Sequence, residues 1–247
     1  MSPETMSPET MSSETISPET INLLQAIESR HSVRRFTEEP IVVEVASELV
    51  ALVAECNATS GLHMQLMLDE PTAFSGLIGS ATTRNARNYL ALIGPDDATL
   101  DEKCGYYGEK VVLRAWQLGI GACWFGSPAR KKALVVGPGE KLRLMVVMGN
   151  PAEEGRPHKS KALEQLCRVE GAGSASANEQ PAPEWFLAGV RAAQLAPTAV
   201  NQQKFLFTLK GATVQATAPK GMFTLVDLGI VKYHFEVGAG VENFVWG

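Results

Sequence analysis

The sequence predicts a globular body in which helices and strands mix, arranged as two related halves behind a disordered tail. Of the 247 residues, 45% are hydrophobic and 20% charged, enough for one or two domains with a sizeable core. Helix-period stretches alternate with short apolar runs of strand length, so neither type fills the chain. Two stretches near the C-terminus realign with earlier ones at constant offsets.

Residues 1–20 are four tandem pentapeptides, MSPET, MSPET, MSSET and ISPET. Pro, Ser, Thr and Glu with almost no apolar content bury too little surface to offset ordering, so this is a disordered tail, and Met6 or Met11 would serve equally as starts. Leu23, Leu24, Ala26 and Ile27 then space as a helix, and Pro40 blocks helix soon afterwards. Residues 55–69 run from a helix end through a polar turn into an apolar strand, with Met64 and Met67 as strand packing. Tyr89–Ile93 reads as a strand, 108–117 as a helix, Trp124-Phe125 as a strand and 144–149 as a short buried strand. Residues 170–183, EGAGSASANEQPAP, form a linker of small residues and Pro. The division is a tail at 1–20, a first half at 21–169, the linker at 170–183 and a second half at 184–247.

The repeat argument rests on two alignments. Residues 108–126 lie over 229–247 at an offset of 121 without a gap, so that Gly108/Gly229, Gly119/Gly240 and Gly126/Gly247 coincide. Residues 55–69 lie over 194–208 at an offset of 139, matching Thr59 to Thr198. The competing reading is chance alignment of Gly-rich segments. The basic heptad at 30–36 has no counterpart in the second half, and Pro197 and Asn201 have none in the first. One site assembled from both halves follows from that complementary loss.

A formal net charge of −5 argues against a nucleic-acid partner, because backbone binding needs a basic face. No apolar stretch approaches membrane-spanning length, and no secretory signal precedes the body, so a cytoplasmic protein is the default. Cys56, Cys104, Cys123 and Cys167 lie 48, 19 and 44 positions apart, which suits reduced structural thiols and neither a disulfide framework nor a zinc site. His63 and His234 sit on apolar stretches and read as core or interface residues.

The chemistry concentrates in four segments. Arg30-His31-Ser32-Val33-Arg34-Arg35-Phe36, if extended, puts Arg30, Ser32 and Arg34 on one face. Two guanidinium forks flanking a hydroxyl suit a phosphate monoester; a solvated basic turn is the alternative. In LGIGACWFGS (118–127) a helix precedes the glycines and a strand follows, the reverse of a dinucleotide fingerprint. Lys159 and Lys161 follow the strand at 144–149, and a solvated charge run would look the same. In AAQLAPTAVNQQKF (192–205), Pro197, Thr198, Asn201 and Gln202 hold polar positions that a helix-to-strand turn would also use.

Taken in order, these segments resemble the nitroreductase superfamily, and most closely its branch that fuses two half-units in one chain. The fold this implies is α+β, a mixed or antiparallel sheet wrapped by helices, in two pseudo-symmetric halves with FMN in the crevice between them. The resemblance assigns Arg30, His31, Ser32 and Arg34 to the FMN phosphate, with Lys159 and Lys161 beside it. It brings the backbone of Cys123, Trp124, Phe125 and Gly126 to the isoalloxazine edge, where Gly permits close approach. It lays Pro197, Thr198, Asn201 and Gln202 against the ring and ribityl chain, as the partner subunit does in ordinary members. Asn85 and Arg87 stand roughly where the family has a ribityl-binding Asn. Gln202 comes one place early, and Gln203-Lys204-Phe205 stands where the family usually has Gln-Pro-Trp. The implied reaction is hydride transfer from NADH or NADPH to flavin N5, then electron transfer to a small nitro, quinone or flavin acceptor, with no acid–base residue. Ordinary members are obligate dimers, so this chain would be a pseudo-dimeric monomer or a homodimer. A flavin-binding carrier or sensor without turnover, and a flavin-free interaction module, are the alternatives.

Overall fold

The computed structural model describes residues 21–74, 82–126, 133–153, 155, 159–170 and 182–247. The pentapeptide tail, linker residues 171–181 and the Arg156-Pro157-His158 stretch lie outside the described residues.

The chain begins with α1 (Leu23–Ser29), closed at its start by a capping box in which Asn22 and Gln25 satisfy each other's backbone N–H groups. Arg30 turns the backbone out of helix (φ −63°, ψ 135°), and the heptad runs on extended. Helix α2 (Val43–Ser60) follows Pro40 and stops at Gly61, whose φ of 74° is the left-handed conformation that glycine adopts without strain. Then come β1 (Gln65–Met67), β2 (Asn88–Pro95), α3 (Leu100–Gln117), β3 (Gly121–Phe125) and β4 (Glu140–Gly149). These strands form a first sheet in the order β1-β2-β4-β3, antiparallel throughout. Strand β2 is buried on both faces from Asn88 to Gly94, in keeping with its continuous apolar run.

The second sheet contains β5 (Cys167–Val169), β6 (Leu206–Lys210), β7 (Thr213–Thr217) and β8 (Val245–Trp246), in that order. It is mixed: β5 is parallel to β6 and β7 to β8, while β6 and β7 form an antiparallel hairpin. Its helices are α4 (Glu184–Gln194) and α5 (Thr224–Ala239). Strand β5 ends the stretch read as the first half yet pairs in the second sheet, so the chain crosses over before the linker. The order α2-β1-β2-α3-β3 recurs as α4-β6-β7-α5-β8. Strand β8 lies directly on β7, whereas β4 separates β2 from β3 in the first sheet.

One apolar cluster runs through both sheets, joining Leu92, Val112 and Val146 to Phe186, Phe207 and Phe235. Its axis is the crossing of α3 and α5. A Cβ at Gly105 would fall inside the van der Waals radius of the Val226 carbonyl oxygen, and a Cβ at Gly229 inside that of Glu102. The two contacts are reciprocal, so the crossing pairs Gly105 with Gly229 at an offset of 124. The gap-free alignment at 121 instead set Gly108 opposite Gly229, while it does match the left-handed glycines that end the two helices, Gly119 (φ 80°) and Gly240 (φ 76°). The difference of three residues is close to one helical turn. Among the described residues no helix is long and apolar enough to cross a membrane, and all four cysteines are free.

Candidate functional site

The heptad closes one end of the first sheet. Ser32 bridges Ala122 of β3 in parallel and Val33 N–H donates to the Ala122 carbonyl (3.0 Å), so the segment continues the sheet past β3. Farther along, Arg35 bridges Arg84 and Phe36 bridges Pro151. Val33 and Phe36 are buried against the glycine backbones of Gly121 and Gly149, which leave no space for a Cβ.

Arg30, Ser32 and Arg34 all act on one neighbour, the Cys123 thiol. Burial pushes that thiol up, while Arg34, a hydrogen bond with Ser32 and Arg30 pull it down. Arg30 is 7% exposed, yet its guanidinium donates no hydrogen bond among the described residues, and Nε is buried without a partner. Burial pushes the guanidinium down; Glu109, 4.0 Å away, and Cys123 act in the opposite direction. His31 stacks edge-on against Trp116 (4.7 Å), and its Nε2 is likewise buried without a partner. Unmade hydrogen bonds on buried cations and donors are costly, so this face suits an anion.

Ala152, Glu153 and Gly155 lie along the heptad. Ala152 N–H donates to the Arg35 carbonyl, Glu153 pairs with Arg35 (3.5 Å), and the Gly155 backbone lies against the His31 ring. The chain then reaches the second half. Lys161 Nζ donates to the Gln203 carbonyl (2.7 Å), Gln203 Oε1 accepts from Lys161 N–H (2.8 Å), and Gln194 donates to the Lys161 carbonyl (2.6 Å). Lys159 offers its carbonyl to both Asn201 and Gln203. The basic pair and the 197–203 loop therefore meet, chiefly through main chain.

That loop is strained and fully tied. Val200, Asn201 and Gln203 all have positive φ (48°, 54° and 44°), unusual for residues with a side chain. Asn201 donates to Lys159 and accepts from Gln203, which uses both ends of its amide. Gln202 donates to Asp227 (2.7 Å) and the Met222 carbonyl, and Thr198 Oγ1 accepts from Gln203 N–H. Asp227 also accepts from Ala199 N–H (2.9 Å); burial pushes its carboxyl up, against those two hydrogen bonds. Pro197 and Thr198 are half-buried at the loop's start.

On β3, Cys123 is buried and Trp124 donates Nε1–H to Glu109 (2.9 Å). Phe125 packs edge-on against Phe74 (5.5 Å). The close approach at Gly126 is made by the Phe223 ring, within 2.9 Å of where a Cβ would stand. A cleft of ≈ 320 Å³ opens beyond the far end of the heptad, lined by Glu38, Pro71, Phe74, Thr83, Asn85, Ala86 and Arg87. Asn85 joins it to the heptad by donating to the Phe36 carbonyl (3.1 Å).

Three residues central to this geometry were missed by the sequence reading. Gln203 was treated only as a departure from the family pattern; it is 2% exposed and clamps the loop. Asp227 gave no signal, since its partners are 25 and 28 residues away. Glu109 could have been found: it stands on the inward stripe of α3 with Gly105, Gly108 and Val112, where a charge needs a partner. That partner is His234, whose Nε2 lies 2.9 Å from Glu109 Oε1, both side chains fully buried.

A family model described as "Putative TM nitroreductase" matches residues 22–239. A nitroreductase-type crystal structure from Thermotoga maritima superposes with a TM-score of 0.64 at 20% identity, covering 93% of this chain and 88% of that one. A nitroreductase-type structure in complex with FMN from Desulfovibrio desulfuricans gives 0.49 at 20% identity, covering 65% and 98%. An NADH dehydrogenase/NAD(P)H nitroreductase-type structure from Parabacteroides distasonis gives 0.49 at 18%, covering 58% and 95%. No curated protein sequence matches the chain. At such identities the structural likeness speaks for the α+β fold alone; the family match over residues 22–239 places the chain in the nitroreductase family.

Proposed function

We propose that the chain is an FMN-dependent NAD(P)H oxidoreductase whose phosphate anchor is the Arg30–Ser32–Arg34 face. The observation that carries this reading is the Arg30 guanidinium, buried and without a hydrogen bond among the described residues. A phosphate monoester supplies the acceptors that this face lacks, and Arg34 adds donors beside it. When bound, FMN supplies hydride acceptance from NADH or NADPH and delivery of electrons to a small nitro, quinone or flavin acceptor. The chain's own work is positional. The heptad, continuous with β3, fixes the anchor on a sheet, and Cys123 stays an un-ionised thiol that adds no negative charge beside it. Asn85 and the adjoining cleft extend the same groove toward a ribityl chain and ring. Lys159 and Lys161 stand beside the phosphate, and Pro197, Thr198, Asn201 and Gln202 serve as the wall contributed by the second half.

The recurrence of helix, strand, strand, helix and strand, with reciprocal glycines at the crossing, supports descent from a duplicated half-unit. On that reading one chain stands in for a dimer and keeps one anchor. A flavin-free scaffold is the competing reading, and the Phe223 ring over Gly126 favours it, since that backbone was expected to face the flavin. The visible spectrum of purified protein, with FMN titration of any colourless preparation, separates the two. Yellow protein releasing FMN on denaturation is the expected result. Colourless protein that takes up no FMN would end the enzyme reading.

A further inference from the structure

The buried cation of the anchor lies at one end of a chain of polar groups crossing from the first half into the second. Glu109 Oε2 accepts from Trp124 Nε1–H (2.9 Å) and Oε1 faces His234 Nε2 (2.9 Å), while Arg30 Nε stands off at 4.0 Å. His234 Nδ1 faces the Ala192 carbonyl (3.1 Å), an acceptor only, so that nitrogen carries a hydrogen. The remaining proton then lies between Nε2 and Glu109. If the ring holds it, the pair is imidazolium and carboxylate; if the carboxyl holds it, both are neutral. Either way the pair sums to zero, and Arg30 adds one positive charge in a fully buried setting. Two other ionisable groups face this cluster, Cys123 from β3 and Tyr233 from α5, and burial pushes both up so that they stay uncharged. The exposed Arg34 adds a second positive charge at the mouth.

Glu109 is thus within reach of a full ion pair with Arg30 but is occupied by other donors. We propose that His234 is a positioning residue of the anchor: by holding Glu109 Oε1 it keeps that carboxylate from closing onto Arg30, which leaves the guanidinium free for the phosphate of FMN. The inference rests on the FMN reading given above. It ties cofactor loading in the first half to a helix of the second, because the anchor is set only when α5 is docked.

Substitution of His234 by Asn tests this. An Asn amide can still donate to the Ala192 carbonyl but is too short to reach Glu109. The full-length protein, stripped of flavin, is titrated with FMN and with riboflavin, which lacks the phosphate. In His234→Asn the FMN affinity should fall about tenfold or more, and riboflavin affinity should change by less than about twofold. Adding Glu109→Gln removes the carboxylate that would capture Arg30, so the double variant should recover FMN affinity to within about threefold. Parallel loss of FMN and riboflavin binding, or a folded double variant without recovery, would reduce His234 to a packing residue. If His234→Asn does not fold, the double variant carries the test alone through its ratio of FMN to riboflavin affinity. A wild-type protein that binds neither flavin would sink the FMN reading separately. Inorganic phosphate then judges the anchor: it should raise the melting temperature of wild type and not of His234→Asn, and an equal rise in both would overturn the role given to His234.

Discussion

Polar groups are treated differently at the ends of the two sheets. Among the described residues, the side-chain atoms buried without a hydrogen-bond partner are Arg30 Nε, His31 Nε2, Thr37 Oγ1, Arg87 Nε and Tyr89 OH, all in the first half. In the second half the comparable loop is saturated: Asn201, Gln202 and Gln203 each have their amides engaged with Lys159, Asp227 or Lys161. Buried donors are rarely left unpaired unless something else supplies the acceptor. On the proposed reading, the contrast separates a surface that takes an anion from a loop that braces the joint. It also assigns costs: variants of the first surface should lose ligand, and variants of the second should lose stability.

The largest expected effect is on the first surface. Arg30→Ala combined with Arg34→Ala should weaken FMN binding by about 3–6 kcal/mol, taking about 1.5–3 for each charge-assisted contact. Circular dichroism should show a retained fold, since a buried cation that donates no hydrogen bond among the described residues adds little to the apo-protein. Unchanged FMN affinity in the folded double variant would return the heptad to a basic turn.

Next comes the crossing that joins the halves. Gly105→Ala and Gly229→Ala each drive a methyl into a backbone carbonyl of the facing helix. Each should cost about 3 kcal/mol, lowering the melting temperature by roughly 6–12 °C. Because the contacts are reciprocal, the losses should be similar; a marked loss at one site alone would break the two-fold reading of the crossing.

A smaller effect is expected at the brace. Gln203→Ala strands the Lys161 N–H and leaves the Lys159 carbonyl one donor short, at about 1–3 kcal/mol by thermal or urea unfolding. The ratio of FMN to riboflavin affinity should stay near that of wild type. A selective loss of FMN would mean that the brace is part of the phosphate site. The smallest effect is none: removing residues 1–20 should leave melting temperature and flavin content unchanged within error, because the repeats offer almost no apolar surface to bury. A drop of several degrees would show the tail docked on the body.

What could be read in the chain follows the range of the interactions involved. Alternation along an extended strand is a local property, which is why Arg30, Ser32 and Arg34 could be grouped from the sequence; all three act on the Cys123 thiol. Helix and strand periods likewise located the C-terminal part of α3 and the end of β3. The crossover of β5 was not legible, because three residues pairing with β6 leave no periodic mark. The proposed duplication has no single offset: the glycines that end the helices align at one offset and those that cross at another, about a turn apart. His234 was read as a core or interface residue, and it is fully buried, but its partner 125 positions away decides its chemistry. The positive φ values at Val200, Asn201 and Gln203 had no glycine to announce them and depend on contacts with residues 159–161.

The central claim is that an anchor present once in the chain makes one flavin site from two halves. Its most direct test is the flavin-to-protein ratio of the purified, FMN-saturated full-length chain, read from visible and ultraviolet absorbance with protein fixed by amino-acid analysis. A ratio near one FMN per chain is the predicted result. A ratio near two would show a second anchor in the second half, and a ratio near zero would show that the buried guanidinium of Arg30 awaits no flavin; either would contradict the account.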